Sequence, residues 1–297
     1  MKGAGVLDAA KTPSAPAFTP RGIDKTAPLP DAARMKIATW NINSVKARMH
    51  ALTKWLKDAQ PDVLCLQEIK TVDEGFPRME IESLGYHCEV HGQKSYNGVA
   101  ILTRETPEEV QVGLPGDDGD EQARYLEVVM PAKRGTVRVA SIYLPNGNPV
   151  EDGHSEKYRY KLDWMARLKE RAQTLLAHEE PLVLAGDYNV IPRPEDCHNP
   201  KGWWGDALFR QETLEAFRAL KNLGLYDAFE VFDGRAEQYS FWDYQGGAWQ
   251  NNNGIRIDHL LCNGYAMDRL VEVKIDRFVR DGIKPSDHVP VVGRFEL

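Results

Sequence analysis

The segment Leu182-Val-Leu-Ala-Gly-Asp-Tyr-Asn189 joins an apolar run directly to a group of polar residues. The run 182–185 has the composition of a buried β-strand, and the carboxylate of Asp187 and the amide of Asn189 follow it at once. Strand ends meet along one edge of a packed sheet, where a cleft can form. The segment therefore predicts a central strand that carries two polar side chains to the edge of a sheet.

The same arrangement recurs in four other strand-like runs, with Asn41 after 36–40, Glu68 after 62–67, Asp258 within 255–262, and Asp287 with His288 before 289–295. For any one of these positions alone, a turn or a helix cap is the commoner role of Asp or Asn. Glu68 is the most specific, because a turn favours Asp or Asn and the preceding run 63–66 is wholly apolar. Together the five sites indicate one shared cleft.

Strand-like and helical patterns alternate from Met35 onward, and the strand-like segments are 36–42, 62–67, 98–103, 125–130, 136–144, 182–185, 255–262, 271–279 and 289–295. Helices are predicted from a cap at Ser44 to Pro61, over 155–178, and from Gln211 to Gly224. Several strands have hairpin-length connections, which argues against a simple parallel doubly wound sheet. The pattern favours an α/β fold with a mixed sheet, or a two-sheet sandwich, flanked by helices.

Composition narrows the class of protein. Of 297 residues, 42% are hydrophobic and 27% charged, which is typical of a globular protein. No apolar run approaches the roughly 20 residues of a membrane span. The net charge of −7 argues against a non-specific polybasic binder but leaves a DNA-binding groove on one face open. Four cysteines without CxxC or zinc spacing fit a reducing cytosol, so we expect a cytoplasmic protein.

Residues 1–34 differ from the rest of the chain. They are rich in Ala, Pro, Thr and Gly and lack a periodic apolar pattern, so they can bury too little surface to offset the entropy of ordering. We therefore expect a disordered N-terminal extension over 1–34 and one catalytic domain over 35–297. The extension has no apolar core of a secretory signal.

The polar residues at the strand ends suggest metal chemistry. An oxygen-only set suits a hard divalent cation, because Mg²⁺ binds a few carboxylates together with water and substrate phosphate. The set consists of Asn41, Glu68, Asp187, Asn189 and Asp287. Magnesium or manganese is therefore the expected cofactor. The sequence contains no GxxxxGK[ST], GxGxxG or GxSxG motif, so metal-assisted phosphoester hydrolysis is favoured over nucleotide-fold and serine-hydrolase chemistry.

Three further residues are candidates for the chemistry. If Asp258 reaches His288, the carboxylate would orient the imidazole for proton transfer or for stabilising transition-state charge. Tyr143 ends a strand before the turn 145–147 and could reach a phosphate, although a core tyrosine is the commoner role. The neighbouring Cys197 and His198 are rejected as a nucleophilic pair, because adjacent loop residues usually point apart.

Six motifs in this order resemble the exonuclease III family of the endonuclease/exonuclease/phosphatase superfamily: Trp-Asn-Ile-Asn at 40–43, Leu-Gln-Glu at 66–68, Tyr-Asn-Gly-Val-Ala at 96–100, Gly-Asp-Tyr-Asn at 186–189, Arg-Ile-Asp-His at 256–259 and Pro-Ser-Asp-His-Val-Pro at 285–290. The resemblance covers 35–297. It implies a four-layer α/β sandwich with two packed mixed sheets. It also implies a divalent-metal AP endonuclease that cuts duplex DNA 5′ to abasic sites and has 3′→5′ exonuclease and 3′-end trimming activities.

The resemblance also implies roles for individual residues. Catalytic roles fall to Tyr143, Asp187, Asn189, Asp258 and His288, and either Asp187 or His288 takes the proton. Metal-site candidates are Asn41, Glu68, Asp187, Asn189, Asp287 and His288. A pocket for the abasic nucleotide would be lined by Phe241, Ile255 and Ile257, with Trp242 beside it.

Other contacts with DNA remain open on the sequence alone. Trp242, Tyr244 and Trp249 precede a turn at 251–254 and belong either to a DNA-facing loop or to an aromatic core edge. The doublet at 203–204 allows both interpretations as well. Lys70, Lys94, Arg104 and Arg256 are candidates for phosphate contacts but stay unassigned, because charged residues usually mark solvated faces.

We therefore expect a monomeric DNA-repair nuclease acting on double-stranded DNA with abasic sites or 3′ ends, and no membrane partner. A second hypothesis is a different phosphoesterase on the same scaffold, acting on RNA, a lipid headgroup or an inositol phosphate. A third is a DNA-binding module without catalysis, which is disfavoured because every expected metal and proton-transfer position is filled.

Overall fold

The structure, a computed structural model, describes residues 34–150 and 155–297. The predicted extension lies outside these residues except for Arg34. Within them, two six-stranded sheets form the frame. The first sheet contains β1 (Met35–Asn41), β2 (Val63–Gln67), β3 (His87–His91), β4 (Val99–Thr103), β11 (Leu270–Ile275) and β12 (Val291–Phe295). Its order is β11-β12-β1-β2-β4-β3, and it is mixed, because β1 and β2 are parallel and the other pairs antiparallel.

The second sheet contains β5 (Glu109–Val112), β6 (Tyr125–Ala132), β7 (Gly135–Tyr143), β8 (Leu182–Asp187), β9 (Leu225–Asp227) and β10 (Asp258–Asn263). Its order is β5-β6-β7-β8-β10-β9, with β7 and β8 parallel. The α-helices of the described residues are α1 (Met49–Ala59), α2 (Arg78–Glu82), α3 (Glu156–Leu176), α4 (Pro200–Trp203), α5 (Gln211–Lys221), α6 (Ala228–Phe232) and α7 (Gly264–Met267). No helix in the described part of the chain is long and apolar enough to span a bilayer.

The strands alternate between two apolar environments, as the period of two in a β-strand requires. In β1, Ile37 belongs to a cluster with residues of the second sheet, whereas Trp40 packs with Trp55 of α1. In β8, Val183 faces the first sheet and Leu184 packs with residues of α3 and α5. The expected four layers are therefore present, with α1, the two sheets, and the α3–α5 pair in succession.

The strand register brings the predicted polar positions to one edge. In the second sheet Asp187 is paired with Tyr143 of β7 on one side and with Asp258 of β10 on the other. In the first sheet Asn41 is paired with Gln67, the residue before Glu68. The strand ends of both sheets thus lie on the same side of the sandwich.

Several predicted boundaries were wrong. The first helix begins at Met49 rather than at Ser44, because Ser44 and Val45 still donate backbone hydrogen bonds to Glu68 and Ile69. Strand β8 continues through Asp187, and β10 begins only at Asp258. The segment predicted as 271–279 ends as a strand at Ile275 and continues as a 3₁₀ turn. By contrast, Ser155 caps α3, accepting a hydrogen bond from the backbone N–H of Tyr158 at 3.0 Å.

Candidate active site

Three side-chain contacts join the two sheets at the shared edge. The Asn41 amide is fully buried and donates from Nδ2 to Glu68 Oε1 and to Asp187 Oδ2, each at 2.9 Å. The Tyr143 hydroxyl of the second sheet donates to Glu68 Oε1 at 2.8 Å. His288, just before β12, lies 2.9 Å through Nδ1 from Asp258 Oδ2 in β10. His288 Nε2 also lies 3.8 Å from Asp187 Oδ2, so these six residues from scattered strand ends form one continuous network.

Glu68 is held as a carboxylate. It follows β2 with a left-handed φ of 50°, and its Oε2 lies 2.8 Å from the ammonium of Lys70. Burial raises the pKa of Glu68, but the charge of Lys70 and the hydrogen bond from Asn41 outweigh it, so the pKa is lowered. Burial and the Glu68 charge raise the pKa of Tyr143 well above its usual value. Tyr143 therefore remains a protonated donor at neutral pH.

Asp258 and His288 form a charged pair beneath the cleft. Asp258 is 1% exposed and also accepts a 2.6 Å hydrogen bond from Ser240 Oγ, while its Oδ1 has no hydrogen-bond partner. Burial would lower the pKa of His288, but the Asp258 carboxylate outweighs it and raises the pKa above its usual value. The imidazole is therefore held in its protonated form, with Nε2 directed at the neighbouring Asp187 at 3.8 Å.

Asp187 lies at the centre of the network and is 1% exposed. Burial raises its pKa above the usual range for a carboxyl, although the His288 charge acts in the opposite direction. Its Oδ1 accepts a 2.9 Å hydrogen bond from the backbone N–H of Asn189. A carboxyl with a raised pKa, close to an imidazolium, is suited to accept a proton near neutral pH.

Asn189 is fixed by contacts on both sides of its amide. It adopts a left-handed φ of 47°, which turns the chain sharply after β8. Its Nδ2 donates to the Leu144 carbonyl at 2.9 Å, and its Oδ1 accepts from Asn146 Nδ2 at 3.0 Å. Asn146 is exposed, so this amide pair forms part of the cleft wall.

Asn43 and Lys70 complete the side of the cleft near Glu68, and sequence reasoning did not assign Asn43. Asn43 Nδ2 donates to Asp287 Oδ1 at 2.9 Å, and its Oδ1 accepts from Lys70 Nζ at 2.6 Å. The signal was available in the Trp-Asn-Ile-Asn motif, where Asn43 stands two residues after Asn41. Asn43 has a positive φ of 45°, and its side chain lies next to Asp287.

The donor atoms fit a hard divalent cation best around Glu68. Oxygens of Glu68 and Asn43 already converge on one positive group, the Lys70 ammonium, at 2.8 and 2.6 Å. Asp187, Asp258 and His288 form a second group whose ligand atoms lie within 4.8 Å of one another. That group includes an imidazole nitrogen, whose ring is already bound through Nδ1 to Asp258, so the all-oxygen set around Glu68 suits a hard cation better.

Of the four residues predicted for the nucleotide pocket, only Phe241 is partly exposed. Phe241 is half-buried and meets the His288 ring at a centroid distance of 4.9 Å. Ile255 and Ile257 are 1% and 3% exposed and pack in the cluster that supports Phe241. Trp242 is fully buried against Trp249, so the expectation that its side chain borders the pocket was wrong.

Two of the four candidates for phosphate contacts do not fit that role. Arg256 is 1% exposed and is paired with Asp196 at 2.9 Å and Asp227 at 2.6 Å, so it belongs to the core. Arg104 packs on Tyr86 at the far end of β4 from Glu68. Burial raises the pKa of the Cys197 thiol to about 11, in agreement with its rejection as a nucleophile.

Comparison with known proteins agrees with this geometry. Residues 38–288 match the model of the Endonuclease/Exonuclease/phosphatase family. The chain is 35% identical to exodeoxyribonuclease III of Haemophilus influenzae, over 88% of this chain and 100% of that protein. An AP endonuclease from Archaeoglobus fulgidus superposes with a TM-score of 0.83 at 35% identity, covering 89% of this chain and 100% of its own.

A 3′ phosphatase from Neisseria, solved with a product DNA hairpin, also superposes with a TM-score of 0.83 at 36% identity, covering 88% of this chain and 99% of that chain. The motifs, the two-sheet sandwich and these similarities agree with one another. The chain therefore belongs to the exonuclease III group of the endonuclease/exonuclease/phosphatase family, whose members are phosphodiester hydrolases.

Proposed function

We propose that the protein is a DNA-repair AP endonuclease that cuts duplex DNA 5′ to abasic sites and also removes nucleotides and blocking groups from 3′ ends. One observation carries the proposal. Asn41 connects Glu68 to Asp187 through two 2.9 Å hydrogen bonds, so the residues proposed to hold a cation and to accept a proton are joined directly. The relatives that carry the names exodeoxyribonuclease III and AP endonuclease support this choice of reaction.

The residues of the cleft divide the chemistry among them. Asp187 is proposed to accept a proton from the attacking water, because burial raises its pKa toward neutrality. The imidazolium of His288 and the amide of Asn189 are proposed to donate hydrogen bonds to the phosphoryl oxygens as negative charge develops. Tyr143 is proposed to hold Glu68 in place through its 2.8 Å hydrogen bond.

Magnesium or manganese is the proposed cofactor, held on the Glu68 side with Asn41, Asn43 and Asp287 as the nearby oxygen donors. When bound, the cation would supply positive charge to the phosphoryl oxygens and to the departing 3′ oxygen. Glu68 remains ionised for this task, because Lys70 and Asn41 lower its pKa.

Selectivity for abasic nucleotides is proposed to begin at Phe241, which lies next to His288. A nucleotide without a base has little stacking to lose, so turning it out of the duplex costs less free energy than turning out an intact one. The half-buried ring of Phe241 would exclude an intact base from the space beside the scissile phosphate. We expect the enzyme to act as a monomer in the cytoplasm.

The decisive experiment uses a labelled duplex that contains one tetrahydrofuran abasic analogue. Incubation with Mg²⁺ should give a single cut 5′ to the analogue, and EDTA should abolish it. An intact duplex, a recessed 3′ end, a 3′-phosphate end, an RNA and an inositol phosphate serve as comparison substrates. Turnover of the RNA or the inositol phosphate with no cut at the analogue would overturn the proposal.

A further inference from the structure

Lys161 on α3 is a fully buried lysine whose ammonium is surrounded by backbone carbonyls. Its exposure is 0%. Nζ donates to the carbonyl oxygens of Pro145 at 3.1 Å, Asn146 at 3.2 Å and Asn189 at 2.7 Å. An ammonium has three hydrogen-bond donors, so all of them are used. Among the described residues, no carboxylate lies within ion-pair distance of this group.

These three carbonyls belong to the two segments that fix the Asn189 side chain. The turn 145–146 follows β7 and carries Asn146, which donates to Asn189 Oδ1 at 3.0 Å. Asn189 itself follows β8 and receives the shortest of the Lys161 hydrogen bonds. Lys161 therefore links the backbone of Asn189 to the backbone of the residue that orients its amide.

The stem of Lys161 is enclosed as tightly as its ammonium. Gly147 adopts a positive φ of 90°, and a Cβ at this position would lie 2.8 Å from Lys161 Cδ. The turn after β7 therefore closes directly over the lysine side chain. A small shift of Nζ would be transmitted to the turn, because there is no free space in which the stem could adjust.

Packing alone does not account for a lysine here. Removing an ammonium from water costs free energy, and burial lowers the pKa of Lys161 to about 7. A methionine would fill the same volume without that cost, but it would leave three carbonyls without donors. The charge is also felt by Asp187, whose carboxylate interacts favourably with the ammonium.

We infer that Lys161 is a positioning residue for the hydrolysis of phosphodiesters. Its hydrogen bonds connect Asn189 to the turn 145–146 and so keep the amide of Asn189 in position to contact the scissile phosphate. It makes no contact with substrate itself. The inference deepens the proposed function and rests on it, because Asn189 is assigned there as a donor to the phosphoryl oxygens.

The test compares Lys161→Met with Arg171→Met. Arg171 lies on the same helix and donates from Nη2 to buried Glu127 at 2.8 Å, away from the strand ends. Both variants should lose thermal stability. We expect kcat on the abasic duplex to fall about 10- to 100-fold in Lys161→Met with little change in KM, whereas Arg171→Met should keep the wild-type kcat. Equal loss of kcat in the two variants would overturn the inference.

A double-mutant cycle separates positioning from general destabilisation. If Lys161 acts through Asn189, adding Lys161→Met to Asn189→Ala should lower kcat by no more than about twofold beyond Asn189→Ala alone. Multiplicative losses would refute the role. Should Lys161→Met not fold, the smaller change Lys161→Gln, which keeps two donors, takes its place in the cycle.

All kinetic measurements are made on the abasic duplex and on a recessed 3′ end. Wild-type protein that cuts neither substrate would count against the proposed function. If the wild-type protein is active but the losses of kcat in the double-mutant cycle multiply on both substrates, only the role of Lys161 is overturned.

Discussion

At the scale of single residues, the site shows how a polar side chain at a strand end gains a function. Glu68, Asp187 and Asn189 were predicted as a group because each follows a buried apolar run. Asn43 was not predicted, since its role depends on a left-handed backbone turn that returns the side chain to Asp287. Trp242 was listed with the pocket although its sequence context allowed a core edge as well, and the structure places its side chain in the core, because one aromatic residue suits a core and a binding surface equally.

Replacing Glu68 by Gln should raise the Mg²⁺ concentration needed for half-maximal cleavage by about tenfold or more, because an amide is a much weaker ligand than a carboxylate for a hard cation. The measurement is the initial rate of abasic-duplex cleavage against Mg²⁺ concentration. Glu272→Gln is the matched control, since Glu272 pairs with Arg294 on the outer strand β11. An unchanged metal dependence in Glu68→Gln would show that the cation binds elsewhere.

Replacing Asp258 by Asn should lower the pKa of His288, because the carboxylate that favours the imidazolium is removed. At pH 7.5 the imidazole would then lose charge, and kcat should fall about 100-fold or more. NMR titration of the imidazole and steady-state kinetics provide the two measurements.

Asp276→Asn is the control for Asp258→Asn. Asp276 is also buried and also accepts a 2.9 Å hydrogen bond from a ring nitrogen, Trp55 Nε1, but on the α1 side of the molecule. It should lose stability and keep its activity. A His288 titration that is the same in Asp258→Asn and in the wild type would contradict the assigned pairing.

At the scale of elements, buried strands were predictable and exposed ones were not. Strands β1, β2, β4, β6, β7 and β8 are largely buried and have clear apolar patterns. Three strands were missed: β3 is only partly buried at the edge of the first sheet, β5 is mostly exposed at the edge of the second sheet, and β9 has only three residues. Their pairing depends on neighbouring strands and leaves little trace in the local sequence.

Strands β9 and β10 are joined by a buried network of charged residues, from which the pH dependence of stability can be predicted. Asp227 of β9 is fully buried and pairs with Arg256 at 2.6 Å. Its Oδ1 also caps α6 by accepting hydrogen bonds from the backbone N–H groups of Phe229 and Glu230. Burial would raise the pKa of Asp227, but Arg256 and His259 lower it far below the usual range. The lowered pKa means that the pair stabilises the fold above about pH 4 and loses this contribution as the pH falls further.

Asp227→Asn should therefore reduce the free energy of unfolding by about 3–5 kcal/mol at pH 7, because Arg256 is left buried without one of its partners. The difference from the wild type should shrink at about pH 3.5, where the unfolded aspartate is protonated. Urea unfolding at both pH values measures this. Asp233→Asn, at the exposed end of α6, is the control. A difference of the same size at both pH values would contradict the assignment.

At the scale of the whole molecule, alternation of strands and helices was enough to predict an α/β fold, and the hairpin-length connections excluded a simple parallel sheet. The choice between one mixed sheet and two came only from the family resemblance. Strand pairing over long separations, such as β1 with β12, depends on contacts that no local pattern records. The position of the site follows from the strand ends of both sheets, which lie on the same side of the sandwich.

The division of the chain at about residue 34 stays a prediction, and deletion tests it. A protein that begins at Met35 should keep the Tm and the kcat/KM of the full chain on the abasic duplex, because the predicted site and core lie entirely in 35–297. Differential scanning calorimetry and steady-state kinetics give the two values. A fall of about tenfold or more in kcat/KM would assign the extension a part in binding DNA.

The hydrogen bonds of Asn41 and Tyr143 run from one sheet to the other, so the stacking of the two sheets sets the distance between the group proposed to activate water and the groups proposed to bind the cation. Backbone shifts of about 1 Å can lower a rate 100-fold. Substitutions in the apolar layer between the sheets would therefore change the rate of catalysis although they lie far from any reacting atom. The packing of the core sets the spacing on which the reaction depends.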